Sequence, residues 1–267
     1  MTEYALGSTD AEHDRLIWQA DRVAPLTERL FREAGIGPGQ RILDIGSGVG
    51  DVAMQVARLV GPSGHVVGVE RDARSIARAR ARVADASLHN VEFIQCDAAQ
   101  LPDSTLYDGA VGRFILMWVD DPVFVLRGLS RIVRPGGVIA FQEPYWQPLL
   151  TLLAPLPLWS AAASAIHGAF RHAGARPELG PILYQTFLEA GLPAPTMRLE
   201  MLLGKDGDLS QWFGDILQTL CSENNQWDPR VRELGDLRTL PERLHAEVVA
   251  SNTIAAWPAY VGAWCRL

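Results

Sequence analysis

Apolar and polar positions along the chain follow two periods in turn. Over the first forty residues Leu16, Ile17, Ala20, Val23, Ala24, Leu30 and Phe31 recur at helical spacing with charges between them. Gly35, Gly37, Pro38 and Gly39 close that region. Short apolar runs then alternate with helical patterns. Strands are predicted at Arg41–Ile45, His65–Glu70, Val91–Gln95, Tyr107–Phe114 and Val138–Gln142. Helices are predicted at Val49–Val60, at Asp72–Ala84 with Asp72 as N-cap, and after Asp121-Pro122. Pro135-Gly136-Gly137 reads as a turn before the fifth strand. This rhythm is that of an α/β fold with a doubly wound, mostly parallel sheet. Ligands of such sheets lie at the carboxyl ends of the strands, near the switch in strand order.

Beyond residue 143 the alternation stops. Helices are expected at Pro155–Ala173, Gly180–Ala190, Ser210–Cys221 and Pro241–Ala250, and strands at Thr196–Leu203 and Trp257–Arg266. The chain shows no internal repeat, low-complexity tract or linker, and a single domain over residues 1–267 is expected.

Composition narrows the function classes. The 267 residues are 48% hydrophobic and 21% charged, an ordinary globular balance, with a net charge of −7. An acidic chain is a poor partner for a phosphate backbone, so no nucleic acid is expected. The arginine-rich run Arg71 to Arg82 reads as a solvated helix face. Pro148, Pro155 and Pro157 interrupt the most apolar stretch, and no membrane association is expected. Three cysteines at no metal-ligand spacing, and an N-terminus without a signal-peptide pattern, lead to the expectation of a cytoplasmic protein.

The strongest local signal is Leu43-Asp44-Ile45-Gly46-Ser47-Gly48-Val49-Gly50, which follows a strand and opens a helix. Glycines there let a ligand approach the backbone, and free amides at the helix start can bond it. Dinucleotide enzymes use such turns too, but their third glycine falls where Asp51 stands. Asp44 and Asp51 would repel a pyrophosphate and attract a sulfonium and an ammonium. Glu70 ends the next strand about 20 residues on, where an acid can accept ribose hydroxyls; its plainer role is a helix cap. Asp97, past the third strand, can accept the exocyclic amine of adenine while the Ala98 amide bonds a ring nitrogen, or it can cap a turn.

These residues resemble the class I S-adenosylmethionine-dependent methyltransferases, over about residues 40 to 144. The matching motifs are Asp44 to Gly50, Glu70, Asp97-Ala98 and Arg134-Pro135-Gly136-Gly137-Val138. The resemblance implies a Rossmann-like, seven-stranded methyltransferase fold with N-terminal helices and a helical cap inserted in the C-terminal half. Residues 1–40 would form a helical lid, 41–144 the cofactor-binding core, and 145–267 substrate-covering helices with the last strands. S-adenosyl-L-methionine is the implied cofactor. Gly46, Ser47, Gly48 and Gly50 would hold its methionine part, Glu70 its ribose, and Asp97 and Ala98 its adenine, with Arg71 a further cofactor-binding residue. Arg113 would bind the cofactor carboxylate or form a salt bridge across the sheet end. Tyr4 would pack on the sulfonium.

The Asn/Asp-Pro-Pro-Tyr motif of amino-methyltransferases is missing after the fourth strand, where Arg113-Phe114-Ile115 stands. No magnesium site of the catechol type is found, so no metal is expected. The resemblance is therefore to the small-molecule branch, with a small, apolar or aromatic metabolite as partner and a homodimer left open. Tyr145, Trp146, Trp159, Phe170, Tyr184, Trp212 and Trp227 are candidate walls for it, core packing being the plainer role of any one of them. His13 and Tyr145 head the candidate catalytic residues, with His167, His172 and Glu143 as further candidate bases. Three rival readings stand: a non-methylating reaction such as cyclisation on the same cofactor-binding fold, a nicotinamide oxidoreductase, and a pure binding or regulatory module.

Overall fold

A computed structural model of the chain describes residues 9–101, 106–204, 207–223 and 229–267. The chain divides into two compact units built from separated segments. One, here the sheet unit, contains Leu16–Glu143, Leu179–Arg198 and Val261–Leu267. The other, the helical unit, contains the chain up to Arg15, Pro144–Glu178 and Leu199–Tyr260.

The first half follows the alternation of its sequence. Helix α1 (Asp10–Ala34) precedes β1 (Arg41–Ile45), α2 (Asp51–Val60), β2 (His65–Glu70), α3 (Ala73–Asp85), β3 (Val91–Gln95) and β4 (Tyr107–Arg113). Then come a 3-10 turn (Leu116–Trp118), α4 (Pro122–Ile132) and β5 (Val133–Tyr145). Asp72 caps α3, its carboxylate accepting the Ser75 N–H at 2.8 Å. Asp121 caps α4 in the same way through Phe124, and Pro122 fills the first turn, where its missing N–H costs nothing.

The large sheet has the order β3-β2-β1-β4-β5-β9-β6, and β1 to β5 run parallel. The order reverses beside β1, so the carboxyl ends of β1 and β4 flank the switch point. Ile42, Val66, Val111, Val138 and Ala140 from the strands pack with Val56, Ala57 and Val60 of α2 and with Leu30 and Phe31 of α1. Burying each of the larger of these side chains contributes about 1.5–3 kcal/mol. Strands covered on both faces are largely apolar, and among the buried residues of β1 Asp44 is the exception.

Three expectations need correction. The fifth strand begins at Val133 and takes in the predicted turn. Pairing steps from Tyr107↔Val133 to Gly109↔Val138, so Arg134 to Gly137 bulge out of the ladder. The bulge is stitched to the C-terminus: Gly136 N–H donates to the Leu267 carbonyl at 2.8 Å, and Leu267 N–H to that of Gly137 at 3.0 Å. Next, the expected helix Pro155–Ala173 begins two residues later, at Pro157, and a short helix that was not expected precedes it. Helix α5 (Gln147–Leu152) precedes α6 (Pro157–His172), because Pro155 and Pro157 cannot continue a helix from the preceding turn.

Helix α7 (Leu179–Glu189) follows. The expected strand Thr196–Leu203 is split, into β6 (Thr196–Glu200) and β7 (Leu203–Gly204). After α8 (Gly207–Glu223), α9 (Pro229–Glu233) and α10 (Leu240–Ala250), β7 pairs antiparallel with β8 (Ala255–Ala256) in a sheet of its own. The last strand, β9, covers Ala259–Arg266, because Pro258 has no N–H for a ladder.

Candidate functional site

At the end of β1 the chain makes a left-handed turn at Gly46 (φ +65°) and again at Gly48 (φ +51°). L-residues rarely adopt this conformation, which accounts for the glycines. The loop is tied to β2 by the Ser47 N–H, which donates to the Val69 carbonyl at 3.0 Å. The two glycines differ in their surroundings. A Cβ on Gly46 would stand 2.5 Å from the Ile115 side chain, whereas one on Gly48 would meet nothing within 4 Å. The loop is therefore packed on one side and open on the other.

Glu70, at the end of β2, reaches back to this loop. Its Oε2 accepts the Gly48 N–H at 2.9 Å, and its Oε1 accepts the N–H groups of Arg71 and Asp72 at 2.8 and 2.9 Å. Three of the roughly four lone-pair positions of the carboxylate are thus engaged. Register places Glu70 opposite Gln95, and the Cys96 N–H donates to the Glu70 carbonyl at 3.0 Å. Asp97 and Ala98 follow directly. The Asp97 carboxylate accepts the Ala99 N–H at 2.8 Å and so caps a turn. Arg71 is exposed beside Glu70.

Asp44 is 1% exposed, and neither carboxylate oxygen makes a hydrogen bond of standard geometry. Burial pushes its pKa well above the usual carboxylate range. The Arg113 guanidinium and the Ala53 N–H pull it back down, while Asp51 and Glu70 add to the rise. The hydroxyl of Ser47 is likewise buried without a partner. Arg113 Nη1 donates to the Thr27 hydroxyl at 3.2 Å, and Thr27 donates to Gln142 Oε1 at 2.7 Å. This line from α1 through the ends of β5 and β4 was not foreseen. A lone threonine on the apolar face of a helix gives no signal of its partner. Arg113 and Asp51 also border a cleft of about 360 Å³ between α1 and α2, which the glycine loop does not line.

The candidate bases fall in different places. Glu143 is fully buried, and both its oxygens serve the backbone: Oε1 accepts the N–H groups of Ile115 and Leu116, and Oε2 that of Met117. Burial raises its pKa to about 8 against the pull of these amides. Tyr145, half-buried at the end of β5, and His13, buried on α1, belong to the helical unit, whereas the residues from Asp44 to Arg113 belong to the sheet unit. His167 pairs with Glu178 at 2.8 Å, and its ring lies 6.2 Å from that of Trp146. His172 ends α6. Tyr4 and Trp227 lie outside the described residues.

Of the aromatic candidates, Trp146, Phe170 and Trp212 pack together, with ring centroids of Phe170 and Trp212 5.7 and 6.4 Å from Trp146. Trp159 is core: its Nε1 donates to the Leu244 carbonyl at 2.8 Å and its ring meets Phe213 edge-on. Tyr184 is exposed on α7, which belongs to the sheet unit. Among the described residues, no three His, Cys, Asp or Glu side chains gather as a metal site, and no helix is long and apolar enough to cross a membrane.

Comparison with known proteins bears on the family and the fold. A family model described as a methyltransferase domain matches residues 36–189. The chain is 39% identical over 127 residues to a ubiquinone/menaquinone biosynthesis C-methyltransferase, UbiE, of Cellvibrio japonicus. The match covers 45% of this chain and 51% of that protein. The corresponding protein of Vibrio cholerae is 35% identical over 124 residues, covering 45% and 48%. The chain thus spans about half the length of the curated relatives it matches. Two solved structures share its fold at 18% identity. A candidate methyltransferase of Bacillus halodurans has a TM-score of 0.60, covering 90% of this chain and 97% of that one. The cyclase SpnF has a TM-score of 0.53, covering 91% and 80%. With its parallel β1–β5 core, its glycine loop at the switch point and the matched domain model, the chain belongs to the methyltransferase-domain family, with the fold of the class I S-adenosylmethionine-dependent enzymes.

Proposed function

We propose that the chain binds S-adenosylmethionine over its glycine loop and transfers the methyl group to a small apolar or aromatic metabolite. The observation that carries this reading is Asp44, a buried carboxylate whose oxygens make no hydrogen bond of standard geometry, next to a loop open at Gly48. An unpaired buried acid is costly, and a ligand bearing positive charge removes the cost. An anionic pyrophosphate would add to it. The residues at the strand ends therefore fit the cofactor of the family.

In this reading the sulfonium supplies an activated methyl group, and the chain supplies position. The backbone of Gly46, Ser47, Gly48 and Gly50 lies along the methionine part, with Asp44 facing the ammonium and Arg113 the carboxylate. Glu70, flanked by Arg71, takes one ribose hydroxyl with its remaining lone pair and the other in exchange for an amide. Asp97 and Ala98 take the adenine. Holding an acceptor in line with the methyl carbon accounts for much of the acceleration of such a displacement. Where the acceptor must lose a proton, His13 or Tyr145 takes it. Relatives acting in ubiquinone and menaquinone biosynthesis support a quinone-like acceptor.

Calorimetric titration with S-adenosylhomocysteine, and with NADH in parallel, tests the cofactor. Binding of the first alone is expected; binding of NADH alone would overturn the proposal. Incubation with methyl-labelled S-adenosylmethionine and hydroquinone acceptors then tests the reaction. Label transferred to an acceptor supports methyl transfer. Conversion of an acceptor without label or S-adenosylhomocysteine would favour a non-methylating reaction instead.

A further inference from the structure

The exit of β4 is held in an unusual way. Phe114 has φ +56°, in the left-handed region that non-glycine residues rarely enter. Backbone held there persists only where the surroundings over-determine it, and such places cluster at functional sites. Here the surroundings are two consecutive residues of β5. The Phe114 N–H donates to the Gln142 carbonyl at 2.9 Å. The next three N–H groups, of Ile115, Leu116 and Met117, converge on the Glu143 carboxyl at 3.1, 2.9 and 3.2 Å.

The Ile115 side chain packs directly on Gly46: a Cβ there would fall 2.5 Å from both its Cγ1 and Cδ1. An unbroken line of contacts thus runs from the Glu143 carboxyl through three backbone amides and the Ile115 side chain to Gly46. Both oxygens of Glu143 face this turn, and the residue is fully buried. A carboxyl suits the task because both its oxygens accept. A glutamine would keep one acceptor oxygen and turn an NH2 donor towards a backbone N–H.

We infer that Glu143 is a positioning residue for the cofactor loop: through the amides of Ile115 to Met117 it holds Ile115 against Gly46 and fixes the loop in its binding shape. The inference rests on the reading that this loop binds S-adenosylmethionine. It gives Glu143 no contact with the reacting atoms.

The test is a double-mutant cycle on the full chain, read as the dissociation constant of S-adenosylhomocysteine. Glu143→Gln is expected to weaken binding about three- to tenfold, the equivalent of a lost hydrogen bond. Glu143→Asp, with shorter reach, is expected to weaken it as well and serves if the glutamine variant does not fold. In the Ile115→Ala background either substitution should weaken binding less than twofold further, because the link to Gly46 is already cut. A purely structural cap would lower the melting temperature in both backgrounds and leave the dissociation constant unchanged. Unchanged binding in a folded Glu143 variant, or fully additive effects with Ile115→Ala, would overturn the inference. Failure of the unmodified chain to bind S-adenosylhomocysteine would instead overturn the reading of the loop, and the inference with it.

Discussion

Glu70 Oε2 accepts the Gly48 N–H across 2.9 Å and so ties the end of β2 to the loop that follows β1. The same carboxylate holds the first two amides after β2. Glu70→Ala releases all three N–H groups at once and removes the acceptor proposed for the ribose. Its affinity for S-adenosylhomocysteine should fall at least about tenfold, a loss of 1.4 kcal/mol, in calorimetric titration. Unchanged affinity would remove Glu70 from the site.

Asp44→Asn separates binding from stability. The folded pKa of Asp44 is raised above its ordinary 3.8. Its contribution is therefore most favourable below that pH and is lost as pH rises through the folded value. Removing the ionisable group should therefore stabilise the ligand-free protein at pH 8. The same substitution should weaken cofactor binding. Thermal melts with and without S-adenosylhomocysteine should thus move in opposite directions.

Glu143 should show the same sign over a defined window. Its pKa is about 8 in the folded protein against 4.5 ordinarily. The folded state binds the extra proton between these values, so stability falls as pH rises from about 4.5 to about 8. The full slope of one group is about 1.36 kcal/mol per pH unit. Denaturant titrations of Glu143→Gln should show a flatter dependence across this window than those of the unmodified chain.

Gly46→Ala puts a Cβ into a left-handed residue and against Ile115. The backbone part alone costs about 1–2 kcal/mol. Adding Ile115→Ala should relieve the contact but not the backbone part, and so recover only a fraction of the lost melting temperature. Full recovery would show that the φ value of Gly46 is not required.

In the helical unit, Glu247 caps α6: its Oε1 and Oε2 accept the Leu158 and Trp159 N–H groups, each at 3.0 Å. Glu247→Ala should cost about 0.5–2 kcal/mol, typical of a lost cap. Because it touches no proposed cofactor residue, S-adenosylhomocysteine affinity should be unchanged in the folded variant.

What was legible in the sequence was local. β1, the glycine loop and Glu70 each carry their own signal within a few residues, and the caps Asp72 and Asp121 announce their helices. Contacts between distant residues were not legible. Thr27 and Gln142 are 115 positions apart, and Glu143 lies 26 to 28 positions from the amides it holds. Glu143 consequently reads as a candidate base in the sequence, and only its partners show that its oxygens are committed elsewhere. The alternation Thr196–Leu203 likewise signals an extended chain without saying that its end pairs with Ala255 and Ala256 in another sheet.

The two units are interleaved along the chain, which crosses between them after Arg15, Glu143, Glu178, Arg198 and Tyr260. No single cut in the gene therefore releases either one. A chimera exchanging the helical unit with a relative would have to replace the chain up to Arg15, Pro144–Glu178 and Leu199–Tyr260 together while leaving Leu16–Glu143 and Leu179–Arg198 in place between them. During synthesis the sheet unit is complete only once Val261–Leu267 has emerged, after all of the helical unit. Its last strand, β9, is thus a late arrival between β5 and β6, and stalling the ribosome before residue 261 should leave the sheet unclosed.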